Sequence, residues 1–579
     1  MGFLRPSPPP FDLEEWKAKP FLSRLKPNVQ EWAMNGFGAP GAIYVLYFVK
    51  LLVFVAGAYV VIGATTPGAN LRNVGAWWTE PIAFQKVVVW TVLWEVVGLG
   101  SGSMPLTGRF SPMIGGILYW VRPGTVRLAP WPERVPLTNG YRRTVADVAL
   151  YLGVLGSGVF LLVSSGRAGP RLDPGAIAVL LGFWAVLGLR DKVPFLAGRP
   201  EVYGLLLVVS LFPARNLIVG WQLVLCFIWW GAATSKLNRH FPFVVATMVS
   251  NTPWNRSHRA KAKLYVNYPH DVRPSRRAAL AAHVGTAYEF GLPFVLLLAR
   301  GTPWQTAAVL GMVVFHAHII STFPLGVPLE WNLFMVFGLL FLFGHHGAVP
   351  LSSLNDPVLM ALLAAVGVAI PVIGNLFPDK VSFLLSMRYY AGNWASSMWL
   401  FRKASDAELK LDERMQKVAR IPVEQVAKVY DRPTADYLVE KGLAFRAMHG
   451  HGRALMGLLG RAVENVDDYV VRDGETIAGI VAGWNFGDGH FHDHHLLAPV
   501  QEQCGFAEGE LRVVTLESQP IHVQRQRYRI YDAATGLREE GWVDVAEMVR
   551  RGPWLEESWE FPVDVVRSAD THTEPASVG

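Results

Sequence analysis

Cysteine is nearly missing from this chain of 579 residues: Cys226 and Cys504 are its only two, and they lie far apart. That excludes a disulfide framework and a cysteine metal site. Charge is scarce as well, at 17% of residues with 51% hydrophobic, where ordinary soluble domains carry about 25% charged residues. The shortage sits before about residue 400, and the tail beyond is normally charged. The N-terminus, with Pro6 to Pro10 and then Glu14, Glu15 and Lys17, lacks the short apolar core of a signal peptide. No Walker loop occurs. Gly98-Leu99-Gly100-Ser101-Gly102 follows an apolar run rather than a strand, so it is no dinucleotide fingerprint. Ser518, before Gln519, Pro520 and His522, has no glycine elbow around it, which argues against a hydrolase. The net charge of +7 comes largely from clusters beside apolar runs. Such clusters suit membrane orientation; nucleic-acid binding would want a basic face interleaved with aromatics.

Long apolar runs are what the sequence has in quantity. A span needs about 20 predominantly apolar residues. Gly41 to Ala64, Ile82 to Gly100, Val145 to Ser165, Ala176 to Leu189, Asn216 to Thr234, Ala279 to Ala299, Trp304 to Phe323, Leu329 to Gly344 and Pro357 to Phe377 are candidates. Val202 to Phe212 is short and ends at Pro213, and reads as a span completed by its flanks or as a re-entrant segment. Phe241 to Ser250 is too short to cross. The expectation is a mostly α protein, a polytopic helical membrane bundle of about ten spans, followed by a small cytoplasmic α+β domain. Residues 1–40 form a cytoplasmic segment, 41–400 the membrane domain and 404–579 the soluble domain.

Lys and Arg in the connections set the orientation. Arg5, Lys17, Lys19, Arg24 and Lys26 precede the first run, Arg109 to Arg143 follow the second, and Arg256 to Arg277 follow Thr234. With ten spans all three segments, and the C-terminal domain, fall on the cytoplasmic side of the plasma membrane.

An ionisable group at the bilayer centre costs about 3 kcal/mol, so each one marks a candidate site. Lys86 and Glu95 share a run, and Lys86 either snorkels to the interface or faces the interior. Glu289 lies mid-run, and His316 and His318 lie in the next. Two residues apart on a helix, those rings point about 200° away from each other and cannot share one metal. Interhelical hydrogen bonding is the alternative to chemistry for both.

Beyond Ala404 two helical stretches, Ser405 to Ala419 and Ala435 to Gly460, precede expected strands at Ile477 to Trp484, Glu510 to Leu516, Tyr528 to Asp532 and Gly541 to Val545. In Trp484 to His495, an extended chain puts His490, His492 and His494 on one face, a set able to hold zinc or iron. The glycines there argue instead for a loop with solvated histidines.

Four blocks in order resemble a known family. Asp191-Lys192 with Tyr203-Gly204-Leu205-Leu206, Trp230 to Leu237, Glu289-Phe290-Gly291-Leu292-Pro293-Phe294 and Phe315-His316 are similar to segments of vitamin K-dependent gamma-carboxylase and its bacterial relatives. The resemblance covers about residues 189–343. It implies that Lys236, where the carboxylase keeps a lysine that deprotonates a reduced quinone, Glu289 and His316 are catalytic. Arg199, Tyr203 and His318 would then line a lipid or quinone pocket. Arg199 stands about where the carboxylase has an essential histidine, and the carboxylase's lumenal domain has no counterpart, so glutamate carboxylation does not carry over. Over its length the chain also resembles a family of actinobacterial multi-pass membrane proteins with no assigned activity, through Met387 to Trp394 and the tail. Two functions follow as expectations: a membrane enzyme acting on a quinone or other lipid, or a non-enzymatic envelope protein handling lipids and recruiting a protein partner through its tail. Membrane lipids are partners in both, and nucleic acid in neither.

Overall fold

The computed structural model describes residues 2–100, 115–164, 171–252, 255–322, 329–381, 391–415, 418, 420–485, 490–551 and 560–569. Its first helices, α1 (Leu13–Lys17) and α2 (Phe21–Asn35), are amphipathic. The membrane part follows with α3 (Gly41–Thr65), α4 (Pro81–Val97), α5 (Val145–Val163), α6 (Pro174–Arg190), α7 (Ala214–Ser235), α8 (Phe241–Ser250), α9 (Arg276–Leu298), α10 (Pro303–Thr322), α11 (Leu329–His345) and α12 (Pro357–Leu376). Six of these, α3, α5, α7, α9, α10 and α12, are long and apolar enough to cross a membrane. The count of about ten is therefore not met at full length. The remaining expected spans fold as α4, α6 and α11 and the segment Pro200–Val209, of 10 to 17 residues each.

Burial separates inner from outer helices. Two thirds of the most apolar stretch of α7 is buried, against 17% for α3, whose Phe48, Leu52 and Val55 face outward. The helix α4 is enclosed on nearly every side and carries Lys86 and Glu95 inward. Lys86 does not reach out to solvent; it donates to the Thr65 carbonyl and hydroxyl at 2.9 and 2.8 Å, closing the end of α3.

Between α8 and α9 a small hairpin pairs β1 (Tyr265–Asn267) with β2 (Asp271–Pro274). The C-terminal unit is one antiparallel sheet in the order β4-β3-β5-β6-β7-β8. Its strands are β3 (Ser396–Arg402), β4 (Tyr469–Asp473), β5 (Leu511–Leu516), β6 (Arg525–Asp532), β7 (Gly536–Asp544) and β8 (Val563–Ser568). Its main helices are α13 (Arg432–Ala447), α14 (Gly450–Ala462), α15 (Gly474–Ala482) and α16 (His494–Cys504). The sheet thus begins at Ser396, before the expected boundary at 404. The strand expected at Ile477 to Trp484 is α15. Asp473 accepts from the Glu475 N–H at its start, and Gly483 closes it at φ +84°. A short apolar run suits either structure, and here the caps decide.

Both faces of β3 are covered. Met398 and Leu400 pack toward α13 and α14, and Trp399 and Phe401 toward α15 and α16. The N-terminal helices complete this unit: Phe21, Leu25, Val29 and Trp32 join the first of those cores, and Arg24 pairs with Glu440 at 2.9 Å. The connections carrying basic residues dock on it as well. Tyr119 and Trp120 donate to the carbonyls of Ile480 and Ala482, Lys192 to that of His490, Lys261 to that of Met34, and Arg273 to that of Arg550. Both ends of the described chain and the two basic connections therefore lie against the same C-terminal unit.

Candidate functional site

Of the residues singled out by sequence, Lys236, Glu289 and His316 converge on the inner helix α7. Lys236 caps its C-terminus, where the helix dipole favours a cation. Its ammonium pairs with the Glu289 carboxylate of α9, and both side chains are nearly enclosed, at 9% and 5% exposure. The rings of Phe241 and Phe315 lie 5.3 and 5.8 Å from the ammonium. Six residues back, Trp230 donates to the Phe290 carbonyl at 3.2 Å and packs on Phe294.

His316, on α10, sits beside this pair with both ring nitrogens engaged. The Trp229 indole, which can only donate, lies 3.1 Å from Nε2, so Nε2 accepts. Nδ1 then carries the proton toward Asn332 Oδ1 at 2.7 Å. The ring is a neutral brace between α7 and α11 and offers no free lone pair. His318 points out of the bundle and is exposed, so the structure does not bring it to the other site residues.

A second polar group lies across α11. Arg199 has a left-handed backbone at φ +56° and is fully buried. Its guanidinium stands 3.6 Å from Glu95 and over the Trp331 ring at 5.2 Å. Tyr203 packs edge-on to Phe334 at 5.0 Å and against Trp331. Glu330, next in sequence, takes Lys50 of α3 at 2.8 Å and the Trp94 indole at 3.2 Å. Consecutive residues Glu330, Trp331 and Asn332 therefore tie this group to His316. Sequence reasoning passed over Lys50 and Glu330, although each is a charge inside an apolar run, the same signal that marked Glu289.

In the C-terminal unit the expected histidine face is not formed, because His494 opens α16 and the strand alternation is absent. His490 faces Glu517 at 2.8 Å; burial works against its protonation, but that carboxylate holds its pKa above the usual range. His492 faces Ser397 at 2.9 Å, and burial pushes it down to about 4. His494 stacks on Tyr531. Asp488 and Gly489 lie outside the described residues.

The model of one family matches residues 1–566, and its description is transmembrane protein of unknown function (DUF3556). The chain belongs to that family. The match takes in the bundle and the C-terminal unit together, so family membership rests on their combination. No curated protein and no solved structure matches the chain.

One polar cluster in this family member had no forewarning in the sequence. Arg446 of α13 is buried between Asp473 at 2.8 Å and Glu475 at 2.9 Å, with its guanidinium 4.9 Å over Trp394. His449 and His451 flank the same indole, at 5.3 and 4.2 Å. Burial pushes His449 down to about 3 and His451 well below the ordinary histidine range, while burial raises Glu475. Every charge here has a partner on another element, which fastens α13, β4, α15 and the segment before β3. As an arrangement it is a clasp.

Proposed function

We propose that the bundle binds a lipid-soluble ligand, a quinone or another lipid with a polar head, at the Lys236–Glu289 pair. One observation carries the reading: a buried ion pair from α7 and α9, edged by Phe241 and Phe315 and braced by neutral His316. A ligand hydroxyl entering between the two groups would accept from the ammonium and donate to the carboxylate, a geometry suited to moving its proton. Lys236 and Glu289 are then the groups that touch ligand. His316 is a positioning residue, and Arg199 and Tyr203 border the neighbouring polar group. Three carboxylase-like blocks contact one another through Lys236, Trp230, Glu289, Phe290 and Phe315, which supports a quinone over other lipids. The basic connections that dock on the C-terminal unit support a cytoplasmic location for it.

Quinones quench tryptophan, and Trp229 and Trp230 adjoin the pair. Full-length protein in nanodiscs, titrated with a short-tailed quinone, should show saturable quenching. Lys236→Ala should weaken binding at least tenfold with insertion and expression intact. Equal quenching in that variant removes the proposal.

A second reading has its own observation: the described partners already satisfy Lys236 and Glu289 mutually, as a purely structural pair would be. On that reading the protein handles lipids without chemistry, and its C-terminal unit recruits a protein partner. Lys236→Ala would then be tolerated in cells, whereas deletion from Ala404 onward would not.

A further inference from the structure

We propose that Asp493, His494 and His495, at the start of α16, form a site for one divalent first-row transition ion. Asp493 is the helix cap, its carboxylate accepting from the His495 N–H at 2.9 Å. That bond fixes the carboxylate, and the rings of His494 and His495 lie 4.0 Å apart beside it. Nδ1 of His495 lies 3.0 Å from Oδ1 and Nδ1 of His494 lies 3.7 Å from Oδ2. The three ligand atoms all fall within 4.8 Å of one another. Ligand atoms bound at about 2.1 Å to one ion stand about 3.0 to 3.4 Å apart in octahedral or tetrahedral geometry, so the set needs only small rotamer shifts to close on a metal.

Access and electrostatics agree. The imidazoles are 42% and 46% exposed and the carboxylate 12%. An ion can therefore enter from solvent and keep its remaining positions for water or a ligand. The ring of His494 is held by stacking on Tyr531 at 5.5 Å. Arg529 bears on His494, and Lys192 bears on Asp493. With one carboxylate against these cations, the site is too weakly anionic for magnesium or calcium. Two imidazoles and a carboxylate suit zinc, cobalt, nickel or ferrous iron. His490 and His492 are outside the set, one ring nitrogen of each being taken by Glu517 and Ser397. The proposal is independent of the membrane pair.

The test uses the full chain in detergent, purified without a polyhistidine tag, stripped with EDTA and titrated with Co2+ by visible absorption. One equivalent should bind and give d–d bands, and zinc should displace it. His494→Ala and His495→Ala should each weaken binding at least tenfold, while His258→Ala, an exposed histidine elsewhere, should leave it unchanged. The two ligand imidazoles are surface groups, so unchanged circular dichroism is expected in their variants. Absence of cobalt bands in the parent protein, or equal binding in the His494→Ala/His495→Ala double variant, overturns the proposal.

Discussion

Removing the Lys236 ammonium while keeping its bulk, in Lys236→Met, leaves the Glu289 carboxylate without its charge partner in an enclosed, aromatic-edged setting. Breaking a buried pair on one side costs about 3–5 kcal/mol. A ceiling comes from the alternative of protonating the carboxyl: for an ordinary glutamate that takes about 3.7 kcal/mol at pH 7 and about 1 kcal/mol at pH 5. The penalty should therefore approach about 4 kcal/mol at neutral pH and shrink as pH falls. The double variant Lys236→Met/Glu289→Gln removes both charges and should recover most of the loss at pH 7. Unfolding in mixed micelles with increasing SDS, followed by tryptophan fluorescence at both pH values, measures the parent and both variants. A pH-independent loss under 1 kcal/mol in Lys236→Met, or no recovery in the double variant, would refute the reasoning that this pair is desolvated.

Two further outcomes are expected. His449, held near 3 by burial, takes up protons only when the C-terminal unit unfolds, so its contribution is complete above the unfolded value of about 6.5 and lost as pH falls toward 3. By pH 5 that loss is about 2 kcal/mol. His451 acts in the same sense, and the raised carboxyl of Glu475 in the opposite one. Thermal unfolding from pH 7 to pH 5 should slope downward, and His449→Asn should flatten it; an unchanged slope would contradict the assignment. Deleting residues 1–35 strips Phe21, Leu25, Val29 and Trp32 from the α13 face, side chains worth about 1.5–3 kcal/mol each when fully buried. Limited proteolysis should then cut within α13, and an unaltered digestion pattern would show that the N-terminal helices add no stability.

The physics of each element decided how much of it could be read in advance. The six long helices were legible because lipid imposes length and apolarity together, whereas α4, at 17 residues and enclosed by its neighbours, falls short of that length. The strand β6 alternates buried and more accessible residues, which made it recognisable. By contrast β3, covered on both faces, has no alternation to reveal it. Lys236, Glu289 and His316 stood out as polar groups in apolar runs, but pairing across a separation of 53 positions is a property of tertiary packing. Neither reading of the histidine passage, a strand face or a solvated loop, describes it fully: an Asp cap starts a helix at His494, and His490 and His492 are buried. Arg446, Asp473 and Glu475 carry no marker at all, since charged residues in a soluble segment are ordinarily solvated.

The most direct measurement is photolabelling of the full chain in nanodiscs with a diazirine-bearing quinone, with the modified positions mapped by mass spectrometry. Labels should concentrate at Trp229 to Phe241, Glu289 to Phe294 and Phe315, compete with unlabelled quinone, and fade in Lys236→Ala. Labels confined to the outward faces of α3 and α12, unchanged by competitor or variant, would show that the ligand meets this protein only as surrounding lipid.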